Sequence, residues 1–208
     1  MKQIDAGGLS FQDLRDCDKY YVDKTLLIKD ILDRNDRGIY LFARPRRFGK
    51  TTNLSMLDAF FNIEYKGNNW FDGLAISNYP EYERYKNAFP VIKLNLKDTK
   101  CDDANHFLNR LKSTISAAYS DHAYLTKSDV LSEREKLNYE EIRFKNVEDD
   151  FIQDCIPELC RLLKKYHGVN PIILIDEYGP CCIQFLRRGV PPQNNELSRF
   201  VFVADSQK

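Results

Sequence analysis

No apolar run in this sequence approaches the ~20 residues that a membrane helix needs. Met1 to Asp5 leads into mixed polar residues and not into a leader, so a cytosolic protein without membrane spans is expected. Neither charge is in excess, because 31 Lys and Arg balance 31 Asp and Glu. A neutral chain exerts no overall pull on nucleic acid or anionic lipid, which leaves such partners only a local patch. Histidine is scarce: His106, His122 and His167 are scattered, and none marks a catalytic base. Six cysteines (Cys17, Cys101, Cys155, Cys160, Cys181, Cys182) show no C-x₂-C pairing and no neighbouring pair of histidines. They read as reduced thiols, and zinc is left only to distant residues that converge.

What is present is enough for one α/β domain. Hydrophobic residues make up 43% of the 208 and aromatics 12%, which can fill a real core. Residues 38–53 hold the densest signal. An apolar run, Ile39 to Ala43, gives way to a cationic loop, Arg44 to Phe48, and Gly49-Lys50-Thr51 then opens an amphipathic segment. Strand, loop and helix in that order are the layout of a phosphate-binding P-loop. Backbone N–H groups curl around the anion, the positive end of the helix dipole points at it, and a lysine reaches the outer phosphates. Gly49, Lys50 and Thr51 sit where G-x-x-x-x-G-K-[ST] requires them, but the first glycine of that pattern is replaced by Arg44. Pro45 fixes its own φ and holds Arg44 extended, a partial substitute for the missing glycine.

A second signal stands at residues 171–178. Ile172 to Ile175 are apolar and mostly β-branched, as in a parallel strand buried on both faces, and the run ends in Asp176-Glu177. That is a Walker B pattern, in which the aspartate orients a metal and its waters and the glutamate polarises an attacking water. Ligands of open α/β sheets bind at the carboxyl ends of the strands, where both signals lie.

The runs Tyr20-Tyr21-Val22-Asp23-Lys24-Thr25, Ala43 to Thr51, Asn53 to Leu57, Trp70 to Ile76, Phe89 to Ile92 and Leu174 to Tyr178 together resemble the predicted AAA-ATPase-like family over about residues 1–178. Arg44-Pro45-Arg46-Arg47-Phe48-Gly49-Lys50 is the most specific part, and arginine at position 44 is usual in the family pattern. The resemblance implies a P-loop NTPase-like parallel sheet flanked by helices, ATP and Mg²⁺ as cofactors, and often a PD-(D/E)xK nuclease-like domain beyond the C-terminal end. Carried onto this chain, Lys50 and Glu177 are the catalytic candidates. Arg46, Arg47, Phe48, Gly49, Lys50, Thr51 and Thr52 are the nucleotide-binding candidates, and Thr51 and Asp176 the metal ligands.

Several segments remain open. Residues 1–37 form a lead-in, with Asp23 able to cap a helix to about Asp33 and Tyr20, Tyr21 or Asp23 either packing or approaching a base or ribose. Residues 90–96 read as a sheet strand, 103–119 as a crossover helix, and 120–146 as a charged surface insertion suited to a lid or partner surface. Helical periodicity from Val147 to His167 meets Pro157, which should kink it or start a new helix at Glu158; Gly168 fits a C-terminal cap. Beyond Tyr178 the resemblance stops, so residues 179–208 are expected to be a divergent or truncated tail in which 199–205 could still form a strand. The expected function is ATP binding with Mg²⁺-dependent hydrolysis. The alternatives are a nucleotide-binding scaffold or signalling module without turnover, a truncated inactive fragment, and a nucleic-acid module using Arg44, Arg46 and Arg47. A homo-oligomer or protein partner is compatible with all of them.

Overall fold

The computed structural model describes residues 9–33, 39–44, 49–96, 104–176 and 199–205. Four parallel strands form one sheet: β1 (Ile39–Arg44), β2 (Val91–Asn95), β3 (Ile172–Asp176) and β4 (Arg199–Asp205), in the spatial order β1-β4-β3-β2. The run at 199–205 is therefore a strand, and it lies between the two strands that carry the sequence signals.

The sheet separates two apolar cores, and alternation along β3 shows why. Ile172 and Leu174 join the core built on α1 (Phe11–Asp16), α2 (Leu26–Asp33) and α3 (Lys50–Phe61). Ile173 and Ile175 join the one built on α5 (Ala104–Asp121), α6 (Glu133–Arg143) and α7 (Ile152–His167). Side chains alternate across a strand, so a run apolar at both parities is one covered on both faces. Each of these fully buried aliphatic side chains is worth about 1.5–3 kcal/mol in area removed from water.

The α3 helix is tied down at its far end. Asn87, at φ +50°, donates from its side-chain amide to the carbonyls of Ala59 at 3.0 Å and Asn62 at 2.8 Å, satisfying carbonyls that the helix leaves without partners. Buried Asp58 accepts from Asn62 Nδ2 at 2.9 Å and pairs with Lys93 of β2 at 3.2 Å. Burial, the largest single influence, would push the Lys93 ammonium down, but the charge and hydrogen bond of Asp58 together with Tyr65 and Asp121 outweigh it and hold the group above the usual lysine range. Between α3 and β2 run two 3₁₀ turns and the short α4 (Tyr82–Tyr85), which places Tyr82 in the α3 core.

Two sequence expectations change form. Residues 120–146 do not stand apart from the core, because Leu125, Leu131, Tyr139 and Ile142 are buried with α5 and α7 and Tyr139 donates to the Tyr119 carbonyl. Part of the charge that suggested a surface insertion is exposed on α6, at Glu133, Arg134 and Glu141. No new helix starts at Glu158, since α7 runs unbroken through Pro157. The missing proline N–H would have faced a carbonyl in the first turn, where the ladder is only beginning, and buried Ile156 and Leu159 anchor the helix on both sides. Gly168 ends α7 at φ +75°, as the sequence indicates.

Among the described residues no helix is long and apolar enough to cross a membrane. Cys17, Cys155 and Cys160 are free thiols, and burial pushes Cys155 up to about 11 and Cys160 up to about 12, which keeps both protonated and unreactive.

Candidate functional site

Gly49 is the residue on which the turn into α3 depends. Its φ of +71° and ψ of +30° are left-handed, a conformation that costs any residue with a Cβ about 1–2 kcal/mol. It is the N-cap of α3, yet no side chain caps the helix there, and the first turn carries no acidic residue. The leading N–H groups of Lys50, Thr51 and Thr52 precede the first backbone ladder bond, from Asn53 N–H to the Gly49 carbonyl at 2.9 Å. A helix start of this kind presents donors and a positive dipole end toward an anion.

Parity along β3 then determines what faces that helix start. Ile172 and Leu174 lie on the α3 side, so Asp176 projects toward the same layer, at the carboxyl end of its strand. The Thr51 hydroxyl donates to Asp176 Oδ2 at 3.4 Å, across 125 positions of sequence. A hydroxyl and a carboxylate at the mouth of a sheet are hard oxygen donors. That set suits Mg²⁺, which takes one or two protein ligands and completes its shell with water and phosphate oxygens. Among the described residues no three His, Cys, Asp or Glu side chains gather as a self-sufficient metal cage. The residues present fit an ion brought in with a phosphate ligand.

The structure thus brings Gly49, Lys50, Thr51 and Asp176 to one end of the sheet. Thr52 is close in chain but turned away, with its hydroxyl 3.5 Å from the Leu9 carbonyl, so only its backbone faces the helix start. Arg46, Arg47, Phe48 and Glu177 lie outside the described residues, as do Asp98 and Tyr178. Arg44 ends β1 in register with Asp205 of β4.

The lead-in resolves toward packing for two of its three candidates. Tyr21 is half-buried, meets the Phe11 ring edge-on at 5.1 Å and donates to Met56 Sδ at 3.1 Å. Asp23 lies before the helix start and not at its cap: Oδ1 accepts from Thr25 N–H at 2.9 Å and from the Thr25 hydroxyl at 2.6 Å, and Oδ2 from Ala75 N–H at 2.7 Å. Burial raises its pKa, but these hydrogen bonds outweigh that and hold the carboxyl below the usual range. Tyr20 is exposed. Residue-by-residue reading passed over Lys24. Its ammonium lies 3.5 Å from where a Cβ on Gly49 would stand, a proximity that the Asp23/Thr25 pair around it signals only once the fold is known.

Two histidines far apart in sequence also meet, at a different place. Tyr124 Oη lies 2.8 Å from His167 Nε2 and 3.3 Å from His122 Nδ1. Burial pushes His122 down to about 4, opposed by a backbone hydrogen bond at Val91 and assisted by the charges of His167 and Lys93, so its ring is neutral near pH 7.

Comparison with known proteins gives one family model, described as Predicted AAA-ATPase, that matches residues 6–202 and so extends past Tyr178, where the resemblance seen in the sequence stops. No curated protein and no solved structure matches.

Proposed function

Since this chain belongs to the predicted AAA-ATPase family, we propose that it binds ATP with Mg²⁺ at the start of α3 and hydrolyses it. The observation that carries the reading is the Thr51–Asp176 contact at 3.4 Å in front of an uncapped helix N-terminus. It supports the reading because a hydroxyl and a carboxylate, both hard oxygen donors, stand beside a helix start at one end of a parallel sheet.

In this reading the backbone N–H groups of residues 46–51 cradle the phosphates, and the Lys50 ammonium binds the β/γ oxygens. Arg46, Arg47 and Phe48 belong to the same turn by sequence, and the guanidinium groups suit phosphate oxygens. Thr51 and Asp176 would hold Mg²⁺, which when bound neutralises charge that develops on the phosphoryl oxygens. Glu177, next in chain after Asp176, accepts a proton from the attacking water.

The test is ATP binding with Mg²⁺, followed by single-turnover phosphate release, in the parent chain and in two variants. Lys50→Ala should weaken ATP binding by about tenfold or more. Glu177→Gln should keep binding and lose about 10²-fold or more in turnover. Binding without any phosphate release in the parent would replace the ATPase with a nucleotide-binding module. Absence of ATP binding at millimolar concentration would end the proposal.

A further inference from the structure

The segment before α2 delivers a second lysine to the same helix start. Lys24 is half-buried, and among the described residues its ammonium makes no hydrogen bond or ion pair. It lies 3.5 Å from the space that a Cβ of Gly49 would fill, beside the positive end of α3, the helix that Lys50 begins. An ammonium beside the positive end of a helix is disfavoured there unless an anion joins it, because charge and dipole end have the same sign.

The approach is built, because the residues on both sides of Lys24 are fastened. Asp23 is tied to Thr25 and to Ala75 N–H, the buried Thr25 hydroxyl accepts from Ile76 N–H at 3.2 Å, and Lys24 N–H itself donates to Tyr21 Oη at 3.4 Å. Tyr21 in turn bonds to Met56 on α3. The lead-in is therefore latched to the helix whose first turn it overlooks, and the Lys24 stem starts from a backbone that needs no further ordering. Such preorganisation lowers the cost of using a long side chain to bind.

The geometry points to Lys24 as a second phosphate-binding cation of this site, supplied by the lead-in and acting with Lys50 on the polyphosphate of a nucleotide. This inference rests on the nucleotide-binding reading above. Lys24 is a binding residue in it, and Asp23, Thr25 and Tyr21 are positioning residues that act through it.

The experiment measures equilibrium binding of ATP and of adenosine, with Mg²⁺ and over a salt series, to the parent chain and to Lys24→Met, Lys24→Arg and Lys50→Ala. Lys24→Met should weaken ATP binding by about tenfold or more and flatten its salt dependence, leaving adenosine binding unchanged. Lys24→Arg, which keeps the charge, should stay within about threefold of the parent. Thermal unfolding of each variant confirms the fold, and Lys24→Gln replaces Lys24→Met if the latter melts lower. If the parent and Lys24→Met bind ATP equally while Lys50→Ala does not, the nucleotide site stands and the role of Lys24 falls. Equal loss of ATP and adenosine in Lys24→Met overturns it too, since that assigns Lys24 to the shape of the site and not to phosphate. A parent that binds no ATP removes both readings together.

Discussion

The Thr51 hydroxyl reaches Asp176 Oδ2 at 3.4 Å, joining the first turn of α3 to the end of β3. If the pair holds a metal, either change should uncouple nucleotide binding from Mg²⁺. Thr51→Ala and Asp176→Asn are each expected to abolish the gain in ATP affinity that added Mg²⁺ gives, while metal-free binding through Lys50 and the backbone is largely kept. Titrating ATP with and without Mg²⁺ separates the two. A Mg²⁺ effect unchanged in both variants would remove these residues from the metal shell.

Asp23 holds three donors in place, so its truncation should be felt in stability. Asp23→Ala should lower the unfolding free energy by about 1–2 kcal/mol, the cost of leaving the Thr25 and Ala75 N–H groups without their acceptor. Because the folded carboxyl titrates below its unfolded value, its contribution is present above about pH 4 and is lost as the pH falls through the folded pKa. Urea midpoints at neutral pH give the number. A shift below a few tenths of a kcal/mol would show that the latch does not constrain the lead-in.

His122 sets a different pH dependence. Its folded pKa of about 4 lies below the unfolded value near 6.5, so the unfolded chain takes up the proton first and stability falls as the pH is lowered between those values. The expected loss is about 1 kcal/mol between pH 6.5 and 5.5. His122→Gln should flatten the stability profile in that window. Parallel slopes in parent and variant would mean that other groups carry the titration.

The Asp58–Lys93 pair joins α3 to β2 with the carboxylate buried and the ammonium near the surface. Asp58→Ala should cost about 2 kcal/mol. That is less than the loss for a fully buried pair, because water still reaches the lysine left behind. Chemical denaturation reads this out, and an unchanged midpoint would make the contact incidental to the fold.

Much of this arrangement is legible in the sequence, for identifiable reasons. Ile172 to Asp176 declares a buried parallel strand by being apolar at both parities, and the Gly49-Lys50-Thr51 step declares a helix start because only glycine adopts φ +71° without strain. Both features are local, so composition and spacing suffice. The location of Lys24 over Gly49 is tertiary, since it depends on Asp23 finding Ala75 half a hundred residues away. The meeting of His122 and His167 at Tyr124 depends on how α7 lies against the turn at 123–127. Charged residues at 120–146 conceal a core contribution because its apolar members, Leu125, Leu131, Tyr139 and Ile142, turn inward at a spacing broken by a 3₁₀ turn and therefore outside any single period. The arginine cluster stays a sequence expectation, because Arg46 and Arg47 lie outside the described residues.

Because β4 lies between β1 and β3, the strand that leads to Lys50 and the strand that ends in Asp176 share no hydrogen bonds, and each is joined to the other through residues 199–205. Both motif strands are made before the spacer that fixes the distance between them, since β4 follows β1, β2 and β3 in the chain. A nascent chain would hold both halves of the site before it could set their separation. On the proposed reading, nucleotide binding during synthesis should arise abruptly, only once this spacer has left the ribosome and closed a contact of long sequence separation.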